Sequence, residues 1–242
     1  MPEPTDVDHP CGKCAFYQTS VWQPVKAGAV AVLTHGFTRK PLAANQVLFA
    51  QGEENQGVFC VSAGLIAVRT HHANGSSTLL KLAYPGDVIG FRSFLTTMPH
   101  KTEARALLPS RVCIVALPDA NQVVRENSSV LARLTARCIY EIDRSHERII
   151  AAATVSNKQR LADLLLRLMK THGVRVGEQM QMHLPVSRSD LADLIGVQPE
   201  TMSRLFTRLK EEGSFTVSGR NIQLPAGFVG LNPAPQRAER VA

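Results

Sequence analysis

Between Val186 and Leu209 the chain carries seven hydrogen-bonding side chains whose spacing suits the reading of base-pair edges. Arg188 opens the stretch, and Gln198, Glu200, Thr201, Ser203, Arg204 and Arg208 follow a break at Gly196. Leu191, Leu194 and Ile195 before the break, and Met202, Leu205, Phe206 and Leu209 after it, recur at helical spacing. Two short helices packed through these residues leave the polar set projecting from the second. An arginine fork can bond guanine O6 and N7, a glutamate can accept from cytosine N4, and a serine can reach a neighbouring base. Arg204, Glu200 and Ser203 are residues of those types, and Glu200 and Arg204 are four apart, so each can hold the other in place. A helical hairpin with a merely solvated face is the bland alternative. The strand-like runs 214–217 and 221–224, around Ser218-Gly219-Arg220, read as a β-hairpin wing next to the second helix and favour DNA.

A second group of chemically capable residues is the cysteines. Five is an odd number, which argues against a disulfide framework and raises metal binding or thiol reactivity instead. Cys11 and Cys14 form a close pair near the N-terminus. Such a pair could take zinc with His9 assisting, but a zinc site needs four good ligands. Cys60 lies inside an apolar strand-like run and reads as core. Cys138 falls on a long helix and reads as a buried thiol. The histidines are scattered, and His71-His72 before Asn74-Gly75 reads as a hairpin tip.

These residues need elements to position them. The 242 residues suffice for one large or two modest domains. The net charge of +7 favours a polyanionic partner, and residues 158–220 hold ten Lys and Arg against seven Asp and Glu. No apolar run reaches the length of a membrane span and no secretory leader is evident, so a cytoplasmic protein without membrane association is expected. No phosphate-cradling glycine loop, metalloprotease helix or nucleophile–base pair is evident, so an enzyme is not expected.

The patterning predicts an α+β protein. Residues 1–24 form a cysteine-containing leader. Residues 25–126 begin with a short helix and continue as many short strands with turn signals between them, giving a sensory β-barrel or jelly roll. Residues 127–156 make one long helix. In it Cys138, Ile142, Ser145, Ile149 and Ala152 fall at steps of four and three, the seam of a homodimer. Ile139, Ile150 and Ala153, on the neighbouring stripe, are expected to pack on the chain's own barrel. Residues 157–225 form a winged helix-turn-helix domain, and 226–242 a disordered tail.

Barrel, dimer helix and winged helix-turn-helix, in that order, resemble the bacterial CRP/FNR transcription regulators over nearly the whole chain. Tyr84-Pro85-Gly86-Asp87-Val88-Ile89-Gly90-Phe91 is similar to that family's barrel turn, and Pro199-Glu200-Thr201-Met202-Ser203-Arg204 to its recognition-helix signature, in the Glu-x-x-Ser-Arg form of the FNR-like branch. The resemblance implies a cyclic-nucleotide-binding-like N-terminal fold. It implies base reading by Glu200, Ser203 and Arg204, a backbone contact by Arg188, and RNA polymerase as a further partner. It also implies an inverted repeat of TTGAT-N4-ATCAA type in double-stranded DNA.

The cyclic-nucleotide branch binds its phosphate through an arginine in an Arg-Ser-Ala triplet. His100-Lys101-Thr102 stands in that place here, which argues against cyclic AMP, although another anion at His100 and Lys101 stays open. The FNR branch holds an oxygen-labile [4Fe–4S] iron–sulfur cluster. Cys11 and Cys14 resemble its leader ligands and Cys113 its barrel ligand, while Ser20 or Trp22 replaces the third leader cysteine. The fourth ligand stays open among His9, Asp8 and Ser20. Ser145 stands where FNR proteins that switch by dimerising carry an acidic residue, which implies a standing dimer. A regulator with a small-molecule effector or no cofactor is the competing reading. An effector-binding module acting through protein partners is the competitor from another class.

Overall fold

The computed structural model describes residues 9–225 apart from Pro24 and Ser214. The tail expected from residue 226 onward, and Asp8, lie outside the described residues. These divide into two compact units whose boundary falls between Asp143 and Arg144, inside one continuous helix.

The first unit begins with a leader of tight turns. Cys14 N–H donates to Cys11 O and Tyr17 N–H to Cys14 O, and a single 3-10 turn covers Tyr17–Thr19. Helix α1 (Ala27–His35) precedes strands β1 (Phe37–Leu42), β2 (Val47–Phe49), β3 (Gly57–Ala63), β4 (Ile66–His71), β5 (Ser77–Ala83) and β6 (Val88–Ile89). Helix α2 (Phe91–Thr96), strands β7 (Glu103–Ala106) and β8 (Ser110–Ala116), helix α3 (Leu117–Glu126) and the part of α4 (Ser128–Thr154) up to Asp143 complete it. Two antiparallel four-stranded sheets, ordered β1-β8-β3-β6 and β2-β7-β4-β5, make the expected barrel. All eight strands supply side chains to one apolar cluster, among them Phe49, Phe59, Ile66, Val68, Ala104 and Val112.

Strand alternation produces a second core. Phe59 and Val61 of β3 face the barrel interior, so Val58 and Cys60 face outward. Against that outer face pack Tyr17, Val21 and Trp22 of the leader, Leu33 of α1, Val123 of α3, and Val130 and Leu134 of α4. Removing so much apolar surface from water, at about 25 cal/mol per Å2, makes the leader an integral layer of the unit.

Helix α4 corrects one expectation. Ile139 does not pack on the barrel; it is 55% exposed, and Ile150 and Ala153, which lie in the second unit, are exposed there. The barrel-facing stripe is Val130 and Leu134, extended by polar contacts. Arg133 donates to Ser20 O at 3.1 Å, Arg137 to Thr19 O at 3.3 Å, and Lys81 pairs with Glu141. Cys138 also leans on this side, half-buried against the outer core, where burial and then Glu141 push its thiol pKa up. A helix face one residue round from the expected one thus does the packing, and the isoleucines stay outside.

The second unit holds α5 (Asn157–His172), β9 (Val174–Val176), β10 (Gln179–His183), α6 (Arg188–Ile195), α7 (Pro199–Glu211), β11 (Thr216–Ser218) and β12 (Asn221–Pro225). Leu161, Leu165 and Leu168 of α5 are fully buried. The wing is the hairpin β11–β12, closed through Gly219 at φ 60° and joined to β10 and β9 in a sheet ordered β11-β12-β10-β9. Sequence patterning missed β9 and β10; the signal was Val174 and Val176 in alternation before the turn at Gly177. Among the described residues no helix is long and apolar enough to cross a membrane.

Candidate nucleic-acid interface and cysteine cavity

Helices α6 and α7 are set by local chemistry. Ser187 caps α6: its Oγ accepts from Asp190 N–H at 3.1 Å, and the Asp190 carboxylate accepts from Ser187 N–H at 2.9 Å. Gly196, at φ 67° and ψ 49°, ends α6 in the left-handed conformation that a β-carbon disfavours. Pro199 then starts α7 at its first turn, where its missing N–H costs nothing. Leu191, Ala192 and Ile195 are buried with Met202, Leu205, Phe206 and Leu209, leaving Leu194 half-buried.

The polar set lies where the sequence placed it on the helix. Gln198, Glu200, Ser203, Arg204 and Arg208 are exposed and Thr201 is half-buried. Arg188 is exposed at the start of α6, with its guanidinium 4.7 Å from the Phe206 ring centroid, a cation–π contact that restrains it. Ser203 Oγ donates to Pro199 O at 3.2 Å, so its hydroxyl must turn outward to reach a base. The expected Glu200–Arg204 pair is not formed, and neither side chain has an ion pair among the described residues. Exposed pairs gain at most about 1 kcal/mol, too little to hold two long side chains together. Arg220 of the wing donates twice to Leu184 O, at 3.1 and 2.7 Å, and so anchors the hairpin turn.

A cavity of about 430 Å3 opens between the leader turn and the outward face of β3 and β8. Cys11, Cys14 and Cys113 all line it, and so does Cys60, together with Arg39 and Arg111. Cys60 and Cys113 are direct cross-strand partners, so their side chains leave the sheet on the same side. Cys60 is therefore not simply core: it packs at the edge of the outer apolar layer and reaches the cavity. Among the described residues, no three His, Cys, Asp or Glu side chains converge as a single metal ion requires. The four thiols surround a space rather than a point.

Their protonation follows from burial. Desolvation, opposed by a hydrogen bond from Ser20, pushes the Cys11 thiol up to about 11. Cys60 retains some accessible surface, yet desolvation pushes it up to about 12, with Cys11 and Cys113 adding repulsion and a nearby Trp22 N–H favouring the thiolate. Trp22 itself is fully buried, and its Nε1 has no hydrogen-bond partner among the described residues. His9 is committed elsewhere: Nδ1 accepts from Cys11 N–H at 3.0 Å, which leaves Nε2 to donate to Trp22 O at 2.9 Å. Both ring nitrogens are thereby used, so His9 is not placed to be a ligand. Ser20 does line the cavity, its Oγ accepting from Trp22 N–H at 3.2 Å.

The anion reading of His100 is not supported. The ring is buried and stacks on Phe49 with centroids 3.8 Å apart, and burial lowers its pKa, so it is a neutral part of the barrel interior. Lys101 is exposed and separate.

Residues 159–226 match the family described as Crp-like helix-turn-helix domain, and residues 39–127 the cyclic nucleotide-binding domain. An anaerobic regulatory protein of Pasteurella multocida is 26% identical over 186 residues, 77% of this chain and 68% of the relative. The nitrogen fixation regulation protein FixK of Bradyrhizobium diazoefficiens is 24% identical over 234 residues, 97% of this chain and 94% of the relative. The solved structure of FixK2 from Bradyrhizobium japonicum superimposes with a TM-score of 0.63 at 24% identity, covering 78% of this chain and 92% of that one.

Proposed function

The chain belongs to the CRP/FNR family of DNA-binding transcription regulators, proteins that are not enzymes, and we propose that it acts as a cytoplasmic homodimer on an FNR-like palindrome under redox or oxygen control. The exposed polar face of α7 carries the DNA half of this reading. Arg204 bonds guanine O6 and N7, Glu200 accepts from cytosine N4, and Ser203 turns to an adjacent base, while Arg188, Gln198, Thr201 and Arg208 position the helix on phosphates and neighbouring edges. Family membership sets aside the alternative in which these helices only dock proteins. RNA polymerase is the further partner in this reading.

Two copies meet along α4. Ile142 and Ile149 are 52% and 67% exposed, with Ser145 and Ala152 between and beyond them, a stripe too apolar to leave in water on a helix of this length. The half-buried Cys138 marks where the stripe runs back toward the barrel. With no acidic residue at 145 to repel its copy, the dimer stands whatever the redox state.

The sensing half rests on the thiol-lined cavity. An iron–sulfur cluster, when bound, supplies a centre that oxygen and redox agents alter. The donor set fits such a group: soft thiols around a space suit a polynuclear cluster, whereas zinc draws its sulfurs to about 2.3 Å from one point. Cys11, Cys14 and Cys113 hold the cluster, and Arg39 and Arg111 offset the charge of the thiolates. Arg133 and Arg137, donating to the leader carbonyls of Ser20 and Thr19, couple the position of the leader to α4. Cyclic AMP is not the effector in this reading, since neutral, stacked His100 occupies the place of the phosphate-binding arginine.

Anaerobically purified protein should contain iron and acid-labile sulfide, and should shift a TTGAT-N4-ATCAA duplex but not a scrambled one. Indifference to sequence defeats the DNA assignment. Protein free of iron and sulfide defeats the cluster and leaves the small-effector regulator.

A further inference from the structure

The cluster reading leaves one corner without a ligand, and four observations converge on the residue that fills it. Cys60 shares the cavity with Cys11, Cys14 and Cys113 and is the cross-strand partner of Cys113. Strand alternation fixes that orientation, because turning Cys60 inward would expel Phe59 and Val61 from the barrel core. The rival His9 has both nitrogens engaged. The indole N–H of fully buried Trp22 is near Cys60, yet it has no hydrogen-bond partner among the described residues. A buried donor without an acceptor is destabilising, and a neutral thiol is a poor remedy. A metal-bound thiolate is a strong acceptor, so the orphaned donor gains its partner only when Cys60 ligates.

Resting on the cluster reading, we infer that Cys60 is the fourth thiolate ligand, so that two ligands come from the leader turn and two from the β3–β8 strand pair. Ligation replaces the Cys60 S–H bond by S–Fe and releases the proton to solvent. Trp22 then acts as a positioning residue through its hydrogen bond to that sulfur. The arrangement substitutes a strand cysteine for the absent third leader cysteine, and the cluster pins the leader directly to the barrel.

The test is anaerobic reconstitution of the full-length protein with ferrous iron and sulfide, comparing wild type, Cys60→Ser, Cys138→Ser and Trp22→Phe. Iron, sulfide and Mössbauer spectra are measured, with circular dichroism to check folding. Cys60→Ser should lose most of its iron and sulfide, while Cys138→Ser, the same change outside the cavity, keeps the wild-type content. Trp22→Phe should retain iron but show a lower midpoint potential, because a hydrogen bond to a ligating sulfur is lost. If wild type loads and Cys60→Ser loads equally with an unchanged spectrum, Cys60 is not a ligand, although the cluster reading survives. An unchanged potential in Trp22→Phe likewise counts against it, including in the event that Cys60→Ser misfolds. If wild type itself takes up nothing, both readings fall together.

Discussion

The helix-turn-helix and the cysteine cavity are held together in opposite ways. Most of what orients Glu200, Ser203 and Arg204 lies within residues 187–211, with α5 packed behind: a capping box, a left-handed glycine, a proline at the first turn and an apolar stripe at helical spacing. The cavity draws on a leader turn, one position of β3 and one of β8, and no local rule brings those together. Its geometry depends on sheet register and on helices α1, α3 and α4 pressing the leader against the sheet. A site of the first kind tolerates disturbance elsewhere, whereas a site of the second kind inherits every defect of the core beneath it.

The largest expected effect tests that dependence. Leu134→Ala, in the fully buried contact between α4 and the outer core, should lower the stability of the first unit by about 2–5 kcal/mol. Equilibrium unfolding measures the loss. A second transition from the helix-turn-helix unit should stay in place; if both move together, the contrast between the regions is false.

Next comes the seam. Ile142→Asp with Ile149→Asp should weaken dimerisation by roughly a hundredfold or more, because burying unpaired carboxylates costs several kcal/mol. Sedimentation of the anaerobic and aerated protein checks this, and wild type that is monomeric in air contradicts a standing dimer. Arg204→Ala should cost about 1–3 kcal/mol in operator binding and relax discrimination at one G·C pair. Mobility shifts on singly substituted palindromes separate that from uniform weakening, which would demote Arg204 to a phosphate contact.

Ser187→Ala is smaller, about 0.5–2 kcal/mol, and confined to the second unit, since it removes one cap and leaves the Asp190 N–H without its acceptor. The last effect is in pH. Burial lowers the folded-state pKa of His100, so the unfolded chain takes up a proton below about 6.5 that the folded barrel refuses. Stability of the first unit should therefore fall as pH drops from 7 towards 5. His100→Phe, which keeps the stack on Phe49, should flatten that slope; a slope left intact assigns it to other groups.

Legibility follows the same divide. The strands, the long helix and the exposure of the α7 polar face were readable, because each depends on periodicity within one element. The stripe on α4 that meets the barrel was misread: Ile139 and Ile150 stay in water, while Val130, Leu134 and the arginines at 133 and 137 make the contacts. Periodicity shows that a helix has an apolar side but not which partner claims it. Likewise β9 and β10, signalled only by Val174 and Val176 alternating before Gly177, were missed, and the Glu200–Arg204 pairing that helical spacing permits was not energetic enough to form.

The sequence by itself determined the order of the domains and the chemical character of the helix that meets DNA, since propensity, capping and patterning act between near neighbours. Cys60 shows what it left open. In the chain it is one more apolar strand residue; only antiparallel pairing with Cys113 and the folding of the leader over that face turn it toward Cys11 and Cys14. Strand register and layer packing are long-range equilibria settled by the burial of the whole core, so the fourth thiol of the cavity was decided by the tertiary structure alone.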